Sequence, residues 1–295
     1  MSKTSQKHAA YSIYHLFKGT SLAFQTKQNY QDMLNKSIRD LDELGFTLRD
    51  VNQLKQKHID ALVEYWRDQY LKTATIKNRM SALRNACRLL NKHNVVHNND
   101  DYGIGKRSYM PDKNKAIDHI DFDKIADPYI ALSLRLQQLF GLRREECLKF
   151  TPSFADKGDF IELKSSWTKG GIGRVVPILT AEQRKYLNEA KQLCGKESLI
   201  PKNKTFIEQR NLYDRLTHQA GLNNLHGLRH AYAQNRYLEL THKFTDNHGW
   251  KSPIGGGQSR QALTRYERQI DQKAREIISR ELGHSRVAIT KIYLG

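Results

Sequence analysis

Apolar residues return at helical spacing along most of this chain, and that period limits the fold more than any other feature. Tyr30, Leu34, Ile38, Leu41 and Leu44 share one helix face, with Thr26 placed to cap the helix and Gly45 to end it. Ile59, Leu62, Val63 and Trp66 form a second stripe. Ile76, Met80, Leu83, Cys87 and Leu90 form a third, with Thr75 as its N-cap. Further on, Ile130, Leu132, Leu134, Leu136 and Leu139-Phe140 run into Gly141, and helical patterns cover 181–194, 205–220, 228–240 and 260–281. Two segments read as short strands, Phe160–Leu163 and Arg174–Ile178, joined through the glycine-rich turn Lys169-Gly170-Gly171-Ile172-Gly173. The expected architecture is mainly α with one small β-hairpin.

A chain of 295 residues holds two domains of ordinary size. The stretch from His97 to Lys115 is polar, carries Gly, Pro and charge, and has no period. It divides the chain into a helical domain over 1–96, a linker over 97–117 and a second domain over 118–295. Hydrophobic residues make up 38% of the sequence, enough for packed cores and too many for a disordered chain.

The charge balance speaks of partners. Lys+Arg number 49 against 31 Asp+Glu, a net +18, and such an excess suits a polyanion, with the phosphate backbone of nucleic acid the commonest. The polar start and the lack of a long apolar run or lipidation signal point away from a membrane. Cys87, Cys147 and Cys194 are too scattered for a disulfide framework or a zinc site, and read as reduced core residues of a cytoplasmic protein. Lys77, Arg84 and Arg88 lie on one side of the third helix, where they suit contact with DNA phosphates or form a solvated face.

The chemistry gathers in four places: Gly141-Leu142-Arg143-Arg144-Glu145-Glu146, then Lys169, then His226-Gly227-Leu228-Arg229-His230, and last Leu282-Gly283-His284 with Tyr293 nine positions beyond His284. Arginines grip phosphate oxygens in pairs and stay charged. A tyrosine serves as covalent nucleophile once its phenol, with an ordinary pKa of about 10, is helped to lose a proton. Such a set attacks a phosphodiester without a metal. His226 and His230 have the spacing of a zinc pair, but no Glu follows the first, and Arg229 between them would repel a cation, so metal binding is rejected.

These boxes, in this order, resemble the tyrosine recombinase (phage integrase) family. The resemblance implies a helical core-binding (SAM-like) N-terminal domain and a mixed, mostly α catalytic domain with a small β-hairpin, clamping DNA. It implies catalytic roles for Arg143, Lys169, His226, Arg229, His284 and Tyr293. Arg143 is chosen over Arg144 by the Gly-Leu-Arg-x-x-Glu register, and Glu146 supports the site by pairing with a cation. Lys169 protonates the departing 5′ oxygen, with Lys164 as its rival. His226 handles the tyrosine proton or donates to the phosphate, His284 contacts the scissile phosphate, and His230 is structural or supports the site from behind. Tyr266 and Tyr237 compete with Tyr293. Lys77, Arg84 and Arg88 become the DNA-binding set.

The implied activity is site-specific recombination, by integration and excision or by resolution of a mobile element. It proceeds through a 3′-phosphotyrosyl intermediate, on double-stranded DNA with specific sites, by a homotetramer. No cofactor is required, an accessory DNA-bending or activating protein is a further partner, and the protein is cytoplasmic and nucleoid-associated. A type IB topoisomerase-like enzyme and a catalytically silent DNA-binding regulator are the alternatives. The 55 residues from Arg229 to His284 exceed the family's usual gap, through an insertion near 241–275. That insertion is either an inert surface loop or a contact to DNA or a neighbouring subunit.

Overall fold

The computed structural model describes residues 3–246 and 248–295. The chain forms two compact units, one ending at Ser108 and one spanning Tyr109–Gly295.

Four helices build the first unit: α1 (Lys3–Lys18), α2 (Phe24–Glu43), α3 (Gln56–Asp68) and α4 (Thr73–Leu89). The three stripes read from the sequence bury Leu34, Ile38 and Leu41, then Ile59, Leu62 and Trp66, then Met80, Leu83 and Cys87. Helix α1 adds Ala9, Ile13 and Phe17 to the same core, a helix the sequence reading did not anticipate. One buried polar group fixes the packing. Asp40 accepts from the Trp66 indole at 2.8 Å and from Arg79 at 2.9 Å, while the Arg79 guanidinium lies over the Trp66 ring.

Two expected caps are displaced. Helix α2 starts after Ala23 and α4 after Lys72, neither with a side-chain cap, so Thr26 and Thr75 lie inside the first turns. Gly45 does end α2, with a positive φ of 86°. The stretch expected as a linker is shared between the units. Ile104 is buried in the first core and Arg84 reaches His97 O at 3.1 Å, whereas Ile117 N donates to Gly227 O in the second unit.

The second unit runs α5 (Pro128–Phe140), α6 (Arg144–Lys149), α7 (Pro152–Ala155), β1 (Phe160–Leu163), β2 (Arg174–Pro177), α8 (Ala181–Cys194), α9 (Phe206–Gln219), α10 (Gly227–Phe244), α11 (Arg265–Glu281) and α12 (Lys291–Leu294). Strands β1 and β2 pair antiparallel, Phe160 opposite Pro177 and Leu163 opposite Arg174. Helix α5 is apolar around much of its circumference, as a central helix must be, and packs against α6, α8 and α10. Thr180 with Gln183, Thr205 with Glu208, and Thr264 with Glu267 form reciprocal capping boxes that start α8, α9 and α11. The three cysteines are free and buried. No helix among the described residues is long and apolar enough to cross a membrane.

Gly141 closes α5 in the left-handed conformation, φ 60°, with the Tyr232 ring against it. A Cβ there would lie 2.5 Å from Tyr232 Cδ1. Gly141→Ala should therefore cost about 2–4 kcal/mol in urea unfolding, from backbone strain plus overpacking. Gly158→Ala, also at positive φ but in open space, should cost about 1 kcal/mol. Equal losses would contradict this reading of Gly141.

Candidate active site

Beyond Gly141 the chain turns so that Arg143 becomes the residue before α6, and Glu146 one turn later points back at it. The Arg143 amide donates to Glu146 Oε2 and its guanidinium to Oε1, both at 2.7 Å. Glu146 is fully buried. Its two oxygens also accept a bidentate pair from Arg174 at 2.8 and 2.6 Å, and Arg229 Nη1 stands 4.0 Å away. Burial alone would raise the pKa of this carboxyl. The Arg174 hydrogen bonds and the surrounding guanidinium charges outweigh that and hold it at about 2. Glu146 thus faces three guanidinium groups, those of Arg143, Arg174 and Arg229.

Arg174 was not among the residues singled out from the sequence. It opens β2, is buried, and donates its Nε to Glu281 O at 2.7 Å. Its side chain lies against Gly283, where a Cβ would come within 2.8 Å. One arginine thus joins the hairpin, α6 and the Leu282-Gly283-His284 turn.

Arg229, on the first turn of α10, has no exposed surface. It donates to Gly141 O at 2.5 Å and to Leu282 O, with Nη2 3.3 Å from His284 Nε2. Its Nε lies 3.4 Å from the Tyr293 hydroxyl. Burial lowers its pKa to about 10, which leaves it charged at neutral pH. The Tyr293 hydroxyl is also 3.3 Å from His226 Nε2. The Tyr293 ring stacks on His284 with centroids 5.3 Å apart and packs on His230 at 4.5 Å. Only 5% of Tyr293 is exposed.

The three histidines are pushed toward the neutral form. Burial first, then the charge of Arg229 and Arg143, brings His284 to about 3. Burial and its neighbours bring His230 to about 4, and the same causes lower His226. The rings of His226 and His230 stand 5.6 Å apart, both against Tyr293. Among the described residues no group of three or more His, Cys, Asp or Glu is arranged to hold a metal ion.

The structure therefore brings together Arg143, Glu146, His226, Arg229, His230, His284 and Tyr293. It does not bring Lys169 to them. Lys169 is exposed in the hairpin turn, and its side chain has no hydrogen bond or ion pair among the described residues. Its rival Lys164 is occupied, with its ammonium 4.1 Å from the Phe154 ring centroid. The competing tyrosines also separate from Tyr293: Tyr237 is buried and bonded to Asp271, and Tyr266 is exposed. In the first unit, Lys77 and Arg88 keep exposed surface on α4, whereas Arg84 is tied to His97 O and the Asn99 side chain.

Residues 6–96 match the family described as phage integrase, N-terminal, and residues 104–235 match the family described as integrase. The chain belongs to the phage integrase family of tyrosine recombinases. Among curated protein sequences, none matches this recombinase. Among solved structures, a lambda integrase dimer bound to a COC′ core site is 16% identical, TM-score 0.59, over 97% of this chain and 76% of that one. A lambda integrase tetramer bound to a Holliday junction is 15% identical, TM-score 0.55, over 87% and 78%. XerH site-specific recombinase bound to palindromic difH substrate, a post-cleavage complex, is 15% identical, TM-score 0.56, over 97% and 81%. The integrase match ends at residue 235, so His284 and Tyr293 rest on the geometry and spacing of this chain.

Two outcomes follow for the DNA-free recombinase. A histidine whose folded pKa is depressed contributes its full stability above the unfolded value of about 6.5 and loses it as pH falls through that value toward the folded one. Glu146 keeps its contribution until pH falls below its unfolded value and approaches 2. Urea-unfolding free energy should thus decline from pH 6.5 to 4. His284→Gln should flatten that slope by up to about 1.4 kcal/mol per pH unit, and an unchanged slope would contradict the assignment. Arg174→Met should cost about 3–5 kcal/mol by leaving the buried Glu146 carboxylate underpaired. Adding Glu146→Gln should recover part of that loss, whereas strictly additive effects in the double-mutant cycle would deny the coupling.

Proposed function

We propose that this chain is a site-specific DNA recombinase that cleaves and rejoins DNA through Tyr293, with Arg143, Arg229, His226 and His284 forming the cage around the reacting phosphate. The observation that carries the reading is the Tyr293 hydroxyl seated between His226 Nε2 and Arg229 Nε, at 3.3 and 3.4 Å, within one chain. Every other tyrosine lacks that setting among the described contacts.

The phenol occupies a donor of Arg229 that a phosphate oxygen would also take. Entry of the scissile phosphate displaces the phenol from Arg229 and leaves it beside phosphorus. Tyr293 Oη then forms a bond to phosphorus as the bond from phosphorus to the 5′ oxygen breaks. The phenol proton passes to His226, which is neutral at pH 7 because its pKa is lowered. Arg143 and Arg229 neutralise the non-bridging oxygens, where charge sits in the transition state. The 5′ oxygen takes a proton from Lys169, carried on a glycine-flanked turn that swings toward the DNA. A 5′-hydroxyl from a partner duplex attacks the phosphotyrosyl ester, restoring the phenol and exchanging the strands. The phosphodiester energy stays in the protein–DNA ester, so no ATP is consumed. A homotetramer on two duplexes carries out the exchange in turn, and the half-buried Lys77 and the exposed Arg88 hold the DNA backbone.

A pool of nicked duplexes with a randomised core serves as the test, with covalent adducts recovered by denaturing electrophoresis and sequenced. The wild-type chain should give adducts at a defined sequence, and Tyr293→Phe none. Lys169→Ala should slow cleavage about 10²-fold or more. A duplex with sulfur in place of the 5′ bridging oxygen should restore its rate, because a thiolate leaves without a proton. Adducts in Tyr293→Phe, or failure of sulfur to rescue Lys169→Ala, would overturn the corresponding role. Relaxation of a single supercoiled circle lacking the recovered sequence would favour a topoisomerase. Binding of that sequence without an adduct would favour a silent regulator.

A further inference from the structure

Helix α12, which carries Tyr293, has four residues. A helix that short has no stability of its own, so the position of the nucleophile must come from what packs around it. Two structures grip it, and one lies inside the unusually long segment between Arg229 and His284.

The first grip comes from α10. Gln234 Nε2 donates to the Tyr293 carbonyl at 3.2 Å and to Asn114 Oδ1 at 2.8 Å, while Asn114 Nδ2 donates back to Gln234 Oε1 at 3.1 Å. The amide that holds the Tyr293 peptide is therefore itself held from both ends. The second grip is the turn Pro253–Gly255, which packs on α12. The backbone N of Ile254 and Cβ of Pro253 would lie 2.9 and 3.1 Å from a Cβ built on Gly295. The same turn reaches Gln234: a Cβ on Gly255 would stand 3.3 Å from Gln234 Oε1.

This turn is anchored. Gly255 N and Gly257 N both donate to Ser252 O at 2.9 Å, and Ser252 is buried. Just before it, Trp250 N donates to Thr241 Oγ1 at 3.1 Å. The Trp250 indole donates to Tyr237 Oη at 3.1 Å, and that hydroxyl donates to Asp271 on α11 at 2.8 Å. Gly249 lies so close to His242 that a Cβ would come 2.4 Å from its amide nitrogen. The insertion thus folds back onto α10 and α11 and ends against α12.

We propose that residues 249–257, together with Gln234, form a buttress that fixes Tyr293 in its own chain's cage, making Gln234, Pro253 and Ile254 positioning residues for cleavage. The inference rests on Tyr293 being the nucleophile. Misplacing a reacting group by about 1 Å can slow a reaction about 10²-fold. Loosening the buttress should therefore act on the chemical step and leave DNA affinity alone, because none of these groups belongs to the cage.

The test uses the full chain with Gln234→Leu, and separately with the double substitution Pro253→Gly and Ile254→Gly. Single-turnover cleavage at saturating recovered duplex, the dissociation constant for that duplex and the thermal midpoint are measured together. The expected result is cleavage slowed about 10- to 100-fold in each variant, with affinity within about twofold of wild type and a cooperative unfolding transition. Cleavage at the wild-type rate in both variants would overturn the buttress. Parallel loss of affinity and of the unfolding transition would overturn it too, since the segment would then be merely structural. Absence of any adduct from the wild-type chain would overturn the nucleophile assignment itself, an outcome distinct from the other two.

Discussion

A carboxylate without solvent contact, shared among guanidinium groups, sets the geometry of this site. Glu146 is fully buried, and each of its oxygens takes two donors, from Arg143 and Arg174. A buried charge of this kind is tolerable only when paired and hydrogen-bonded, so the arginines are not free to wander. Arg143 keeps 22% of its side chain exposed, Arg174 ties the hairpin to the turn before His284, and Arg229 completes the ring at 4.0 Å. The cationic cage is thus built around an anion before any phosphate arrives, which is what preorganised electrostatic catalysis requires.

The same arrangement accounts for the state of the histidines. Burial first, and then the fixed positive charge around them, disfavours protonation, so His226, His230 and His284 are all pushed toward neutrality. Neutral imidazoles accept protons and stack on a phenol without repelling the arginines. Tyr293 sits among them with its hydroxyl 3.4 Å from Arg229 Nε.

Much of this was legible in the sequence, for identifiable reasons. Helical stripes such as Ile59, Leu62, Val63 and Trp66 mark their helices because burial repeats with the helical period. The hairpin was legible because strand residues flank a glycine-rich turn. Arg143 and Glu146 were singled out together by the Gly-Leu-Arg-x-x-Glu register that carries the resemblance, and their spacing of three residues lets the carboxylate reach back to Arg143. Arg174 was passed over because a charged residue in a short strand usually faces water. Its signal was present all the same: it shares a strand face with Val176, two positions on, and that face is the buried one. Helix α1 escaped notice because its stripe is thin, Ala9, Ile13 and Phe17, and acquires meaning only against α2. Thr26 and Thr75 misled because a threonine inside the first turn looks the same in sequence as one that caps it, and α2 and α4 begin at Phe24 and Thr73 without a side-chain cap. The insertion was legible by its length but its packing was not, since Trp250 meets Tyr237 and Thr241 only after the chain has doubled back.

The central claim is that the phenol and the arginine cage proposed to act on a phosphate belong to the same chain, as the seating of Tyr293 beside Arg229 supports. Mixing Tyr293→Phe with Arg229→Lys on the recovered duplex tests it most directly, since each protein supplies the part the other lacks. No covalent adduct is expected in the mixture beyond the sum of the separate proteins. Adduct restored by mixing would show that the nucleophile is delivered to a neighbour's cage, and would contradict it.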